Sequence, residues 1–108
     1  MYLNPIINEQ VIHDAYGNLA QAKVSYADAL ERSLAMDAAL EKSKAIALSD
    51  GTVIGKNETE RKAAISTLFA ARIAELEAAE RETRSARVEV ELAEIEVKRV
   101  ETLVRWLK

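Results

Sequence analysis

Residues 51–57 contain two glycines followed by a lysine, a combination that also occurs in phosphate-binding loops. Such a loop has four residues between its glycines and a serine or threonine directly after the lysine. Here three residues separate Gly51 from Gly55, an asparagine follows Lys56, and no strand precedes the segment. We therefore interpret the segment as a turn that uses two glycines and ends in a helix cap.

The histidine and the carboxylates lack a recognisable metal-binding pattern. His13 is the only histidine, and Asp14 and Glu9 are its neighbouring carboxylates. A catalytic metal usually has three protein ligands, and paired carboxylates on facing helices usually come with a Glu-x-x-His motif, which is missing here. The glutamates of the second half are interspersed with arginines and lysines at i+3 and i+4, which indicates ion pairs on a solvated helix face.

The sequence also lacks the residue sets of nucleophilic catalysis. It contains no cysteine and no Ser/His/Asp arrangement, and two helices alone offer no deep pocket. We therefore expect a protein that is not an enzyme and that uses no metal and no cofactor.

A small basic cluster surrounds the predicted turn. Helix N-termini attract anions, so this cluster is a candidate phosphate or nucleic-acid contact. Neighbouring carboxylates such as Glu58 and Glu60 nearly cancel the positive charge, and a solvated tip is the favoured interpretation. The candidate tip contacts are Lys56, Asn57, Arg61 and Lys62.

The overall composition favours long helices. Hydrophobic residues form 49% of the 108 residues and charged residues 31%, with three glycines and one proline. Such a composition is typical of coiled coils. The net charge of −3 argues against a large nucleic-acid-binding face. No apolar run approaches the ~18–20 residues that span a bilayer, and no signal segment is evident, so we expect a soluble intracellular protein without a membrane partner.

The first predicted helix covers residues 5–48. Asn4 is placed to cap it, and Pro5 fits its first turn. Gly17 and Asn18 form a weak point, where we expect continuation with a kink; two separate helices are the alternative. An unbroken 3-4 repeat typical of a heptad seam then runs through Ile12, Ala15, Leu19, Ala22, Tyr26, Ala29, Ser33, Met36, Leu40, Ser43 and Ala47. Leu30, Leu34 and Leu48 are expected to widen this stripe.

The second predicted helix covers residues 58–107 and follows a tip loop at residues 49–57. Asn57 and Glu60 resemble a capping box at its start. Its seam, with Arg72 as the single charged member, runs through Ile65, Phe69, Arg72, Leu76, Ala79, Thr83, Ala86, Val90, Ala93, Val97, Val100, Val104 and Leu107.

These two seams predict an all-α fold, an antiparallel coiled-coil hairpin that forms one domain over residues 1–108. Folding the chain at the glycines aligns Leu40 with Ile65 and places Ser33 opposite Arg72. The arginine is expected to lay its stem along the seam and send its charged head outward.

A two-helix hairpin has a thin core, because a small chain buries only a small share of its surface. Near its end the second helix is apolar over a wider arc than one neighbouring helix can cover. We therefore expect a homodimer with a four-helix arrangement, formed at the end away from the tip. The candidate interface residues are Ile7, Val11, Val88, Leu92, Ile95, Leu103 and Trp106.

Residues 54–63, with the sequence Ile-Gly-Lys-Asn-Glu-Thr-Glu-Arg-Lys-Ala, precede an Ala/Glu/Arg-rich helix. This segment resembles small, mostly uncharacterised helical-hairpin proteins of bacteriophages and prophages. Ala15, Tyr16 and residues 19–23 fit the same resemblance. Such proteins are often encoded near phage replication and recombination genes, which implies a non-catalytic accessory role in phage DNA metabolism, in the cytoplasm of a bacterial host. The resemblance identifies no catalytic residue in this chain.

Three functional hypotheses follow. The favoured one is an interaction protein that acts on an unknown protein partner through its helix faces. The second is a nucleic-acid-binding accessory protein that uses the basic tip. The third is an inhibitor of a host enzyme, in which the acidic face of the second helix imitates the charge of nucleic acid.

Overall fold

A computed structural model describes residues 8–107, and this part of the chain is all-helical, without a strand. It contains three helices: α1 (Glu9–Ser49), α2 (Glu58–Leu68) and α3 (Ala70–Trp106). None of them, within the described residues, combines the length and the apolar character that crossing a lipid bilayer would require. The prediction of a helical fold with two long helices that pack together is confirmed.

Helix α1 is capped by Asn8, whose side-chain Oδ1 accepts a hydrogen bond of 2.9 Å from the N–H of Val11. The start that the sequence predicted at Asn4 and Pro5 lies outside the described residues. The helix continues through Gly17 and Asn18 without interruption. An isolated glycine costs only about 1 kcal/mol in a helix, which the remaining turns of a 41-residue helix can offset.

The chain leaves α1 through Gly51, which has a φ of 80°. L-residues with side chains rarely adopt this left-handed conformation, whereas glycine does so at little cost. The N–H of Val53 then donates to the carbonyl of Ala47 over 3.1 Å. Val53 is only 6% exposed, so the first part of the loop folds back onto the end of α1.

The single helix predicted over residues 58–107 is divided at Phe69, which has φ −105° and ψ 16°. The N–H of Phe69 still donates to Ile65, and the N–H of Ile73 donates to Phe69, each over 2.9 Å. The deviation is therefore confined to one residue. Just before it, the Thr67 hydroxyl donates to the carbonyl of Ala63 over 3.1 Å, a contact that often bends helices.

The described residues form two packing units. Unit 1 joins the residues up to Asp28 with those from Thr83 onward, and unit 2 is Ala29–Glu82. In each unit a part of α1 packs against a part of α3 that runs in the opposite direction.

The core of unit 1 consists of Ala15, Val97 and Val100. Val100 is the most enclosed of them, at 1% exposure. Partly buried apolar residues complete this core, namely Val11, Ile12, Leu19, Leu103 and Val104. Of the seam positions predicted in this unit, Leu107 alone is exposed among the described residues.

Unit 2 buries mostly small side chains along its α1 segment. Leu40 is 3% exposed and is the one large member of this set, which also contains Ala29, Ser33 and Ala47. On the α3 segment of the unit, Ala79 is buried as well. The Ser33 hydroxyl donates to the carbonyl of Leu30 over 3.0 Å, so its burial leaves no polar group unsatisfied. Leu34 and Leu48, expected to widen the seam, are instead 60% and 44% exposed.

The predicted register of unit 2 is wrong by about three helical turns. Arg72 lies against Ser43, whose Oγ accepts a 2.8 Å hydrogen bond from its Nη1, and not against Ser33. Arg32 and Glu82 form an ion pair of 3.0 Å with the same alignment. Both pairs place the middle of the hairpin near Asn57, whereas the prediction placed it between the glycines.

The shift arises because the loop folds along the start of α2 and does not simply connect two helix ends. A Cβ atom added at Gly55 would lie 2.8 Å from the backbone nitrogen of Arg61. The Nη1 of Arg61 donates in turn to the carbonyl of Gly55 over 3.2 Å. The first turns of α2 therefore contact the loop, and the residues that pair with α1 come later in the sequence.

Replacing Leu40 by aspartate should lower the free energy of unfolding by at least about 3 kcal/mol, because it removes a buried apolar side chain and introduces an unpaired charge. Leu34→Asp is the matched control, since Leu34 is 60% exposed, and it should change stability by less than about 1 kcal/mol. Urea denaturation followed by circular dichroism measures both. Equal losses in the two variants would show that the seam is misplaced.

The two glycines Gly55 and Gly17 should respond oppositely to alanine. Gly55→Ala should lower the unfolding free energy by about 1–3 kcal/mol, because the backbone of α2 leaves no room for a Cβ atom. Gly17→Ala should raise it by about 0.5–1 kcal/mol, since open space surrounds this helical position. Thermal melts measure the stability of both variants. An unchanged melting temperature of Gly55→Ala would contradict the packing of the loop against α2.

Candidate interaction surfaces

An exposed row of large apolar side chains runs along α3 in unit 1. Val88, Leu92 and Ile95 are 50%, 54% and 62% exposed. Their spacing of four and three residues places them on one helix face. With ~3.6 residues per turn, this face lies roughly opposite the core residue Val97.

The same row continues to Trp106, which is 83% exposed. Arg99 and Thr102 occupy the two positions between Ile95 and Trp106 at the same helical spacing. We define the outer stripe as Val88, Leu92, Ile95, Arg99, Thr102 and Trp106. Sequence reasoning identified its apolar members but missed Arg99 and Thr102, which the continuing 3-4 spacing could have revealed.

Arg99 is held by Glu96 on the flank of the outer stripe. Its Nη2 and Nε donate to the two carboxylate oxygens over 2.6 and 2.9 Å. This hydrogen bonding holds the pKa of Glu96 below its usual range and raises the pKa of Arg99. The guanidinium therefore lies at the edge of the stripe, which leaves the apolar members uncovered.

Two residues predicted for the interface serve the core of unit 1. Val11 and Leu103 pack against Ala15, Val97 and Val100 and are only partly exposed. The structure thus separates the predicted set into core residues and the outer stripe. Ile7 lies outside the described residues.

A shallow groove of about 630 Å³ separates α1 from α3 on one side of unit 1. Its floor includes Ala22, Ala86 and Ala93, and its rim includes Glu89 and Leu92. The groove exists because these seam positions carry small side chains.

A second contact between the helices of unit 1 lies at Tyr16, whose hydroxyl is hydrogen-bonded to the Glu101 carboxylate. This contact raises the pKa of Tyr16 above its ordinary value. Ile12, Val100 and Val104 line the same shallow cavity of about 300 Å³, so the contact lies at the edge of the apolar core.

The residues named as candidate tip contacts form intramolecular interactions around the start of α2. The Asn57 side chain accepts a 2.8 Å hydrogen bond from the N–H of Glu60, as the capping motif predicted. The Glu60 carboxylate accepts from the N–H of Lys56 over 2.7 Å, one residue before the cap. Lys62 forms an ion pair of 3.4 Å with Glu58.

Arg61, as noted, donates to Gly55. Asn57, Arg61 and Lys62 therefore all have intramolecular partners. Lys56 is an exposed residue. On the other side of the loop, Asp50 accepts from the N–H and the hydroxyl of Thr52 over 2.9 and 2.5 Å. The Thr52 hydroxyl in particular lowers the pKa of Asp50.

His13 is an exposed residue near the start of α1. Residues 8–107 contain no group of three or more histidine, cysteine, aspartate or glutamate side chains arranged to hold a metal ion.

Comparisons of this chain with protein-family models, with curated proteins and with solved structures found no match.

Replacing Asn57 by alanine should lower the free energy of unfolding by about 1 kcal/mol, because the N–H of Glu60 loses its side-chain acceptor. Asn57→Ser is the matched control, since serine is also a good cap, and it should stay within a few tenths of a kcal/mol of the wild type. Urea denaturation distinguishes the two. Equal stability of the alanine and serine variants would show that the cap contributes nothing.

Proposed function

We propose that this chain is a non-catalytic interaction protein that works through its helix faces and forms a homodimer through the outer stripe of α3. The observation that carries the proposal is the exposure of Val88, Leu92, Ile95 and Trp106 on one face. Single exposed apolar side chains are ordinary, but Val88, Leu92 and Ile95 form an uninterrupted row of large ones, and such a patch marks an interaction site.

Helix α3 combines two apolar faces. One face packs against α1 in the core of unit 1, and the outer stripe lies roughly opposite. A helix that is apolar on two sides is typical of a position between two other helices. Pairing of two copies along the stripe would give each α3 its second neighbour and bring four long helices together.

Burial of the stripe would supply stability that the thin core lacks. Fully burying a valine, leucine or isoleucine side chain contributes about 1.5–3 kcal/mol. The apolar stripe residues are about half exposed or more, so each would still gain a substantial part of this free energy when a partner buries it. Trp106 adds a large aromatic surface of the kind that is enriched in interface cores.

We further propose that the dimer is an accessory factor of a bacteriophage or prophage, with a protein partner in the host cell. This part of the proposal is supported by the resemblance of residues 54–63. The tip cations at Arg61 and Lys62 already have intramolecular contacts, so the outer stripe is the better supported working surface.

Ile95→Asp should abolish dimerisation while leaving the helical content unchanged, because Ile95 is 62% exposed and a charge at the centre of a dimer interface would lose its hydration. Sedimentation velocity over a concentration range measures the mass, and circular dichroism measures the helicity.

Leu34→Asp places the same charge at an equally exposed apolar position, 60% exposed, in unit 2. It should sediment as the wild type does. A wild-type protein that stays monomeric up to high micromolar concentration would contradict the proposal, as would unchanged dimerisation of Ile95→Asp.

A further inference from the structure

We propose that the two copies lie antiparallel along the outer stripe, with Leu92 of each copy against the partner's Ile95. This inference rests on the proposed self-association and adds its geometry. It follows chiefly from the position of Arg99 in the stripe, which would meet the same arginine of a parallel partner but meets the partner's Val88 and Glu89 in the antiparallel orientation.

The apolar centre of the stripe is symmetric about the midpoint between Leu92 and Ile95. An antiparallel partner centred there places Leu92 against the partner's Ile95, and Ile95 against the partner's Leu92. The next positions outward bring Val88 to the partner's Arg99 and Ser85 to the partner's Thr102. A twofold axis thus relates the two copies, and each contact occurs twice, as in an isologous dimer.

On the edge of this centre that carries Glu91 and Lys98, the charge changes sign along the helix. Glu89 and Glu91 flank the first half, and Lys98 and Arg99 belong to the second half. Antiparallel alignment brings Glu91 near the partner's Lys98, and Glu89 near the partner's Arg99. Opposite charges on the edges of a helical interface favour the orientation that pairs them.

Arg99 decides between the two orientations. A parallel partner in the same register would place Arg99 against the partner's Arg99 inside the stripe, with like charges in contact. The antiparallel partner places it against the partner's Val88. Its guanidinium, which already donates to Glu96, keeps donors for the partner's Glu89, because arginine has five N–H groups.

The alignment also brings like charges together at two places. Glu89 approaches the partner's Glu96, but Arg99 lies between these two carboxylates. Arg84 approaches the partner's Arg105 on the edges of the contact, where both residues are exposed and salt screens the repulsion. The Glu91–Arg87 pair at 3.6 Å is also exposed, so exchanging it for the partner's Lys98 costs little.

Cysteine cross-linking tests the orientation directly, because the natural chain contains no cysteine. Ser85→Cys and Thr102→Cys change exposed, small polar residues and leave every charged residue in place. The two single variants, one carrying an affinity tag, are mixed, left to exchange subunits and oxidised.

The expected main product is the mixed disulfide between the two variants. Its yield should be at least about fivefold above that of a disulfide between two copies of the same variant. Predominance of the like disulfides would overturn the antiparallel inference while leaving self-association intact. Equal, low yields of all three products, together with a monomeric mass by sedimentation, would overturn both the orientation and the proposed dimer.

Discussion

The structure depends on the close packing of α1 against α3 through small side chains. Four of the eight buried apolar residues among the described positions are alanines, and only Leu40 is larger than valine. Small residues let helix backbones approach closely, but they remove little apolar surface from water. The consequence is an unusual distribution, in which large residues such as Ile95 and Trp106 lie outside.

This distribution links stability to association. A hairpin with a small buried area gains from any contact that covers its remaining apolar surface. The outer stripe is placed for such a contact, because Val88, Ile95 and Trp106 lie on the side of α3 away from α1, and Leu92 lies at the rim of the groove between the two helices. The tip, in contrast, satisfies its own polar groups: Asn57 caps α2, and Glu60 and Arg61 hold the loop. The polar residues of the tip thus define the turn, whereas the exposed apolar residues of α3 form the surface that we propose for self-association.

The sequence predicted the parts of the fold that local periodicity and capping determine. The seam through Ala15 and Leu40 is buried as the 3-4 repeat indicated, and Asn57 caps α2. The register was missed, because a 3-4 repeat fits almost equally well after a shift by a few seam positions, such as that from Ser33 to Ser43, and because the loop at Gly55 packs along the first turns of α2. The break at Phe69 has only the Thr67 hydroxyl contact as a signal, and many helices tolerate such a contact. For the candidate surface, spacing identified Val88, Leu92 and Ile95, but it could not show that Val11 and Leu103 belong to the core.

The most direct measurement of the central claim is the fluorescence of Trp106, the only tryptophan in the chain. It is 83% exposed in the single copy and belongs to the outer stripe. If the stripe joins two copies, the emission maximum lies at shorter wavelength in concentrated solution and moves to longer wavelength on dilution, over the range in which the mass falls to 12.0 kDa. An emission maximum typical of a water-exposed indole at every concentration would contradict the account.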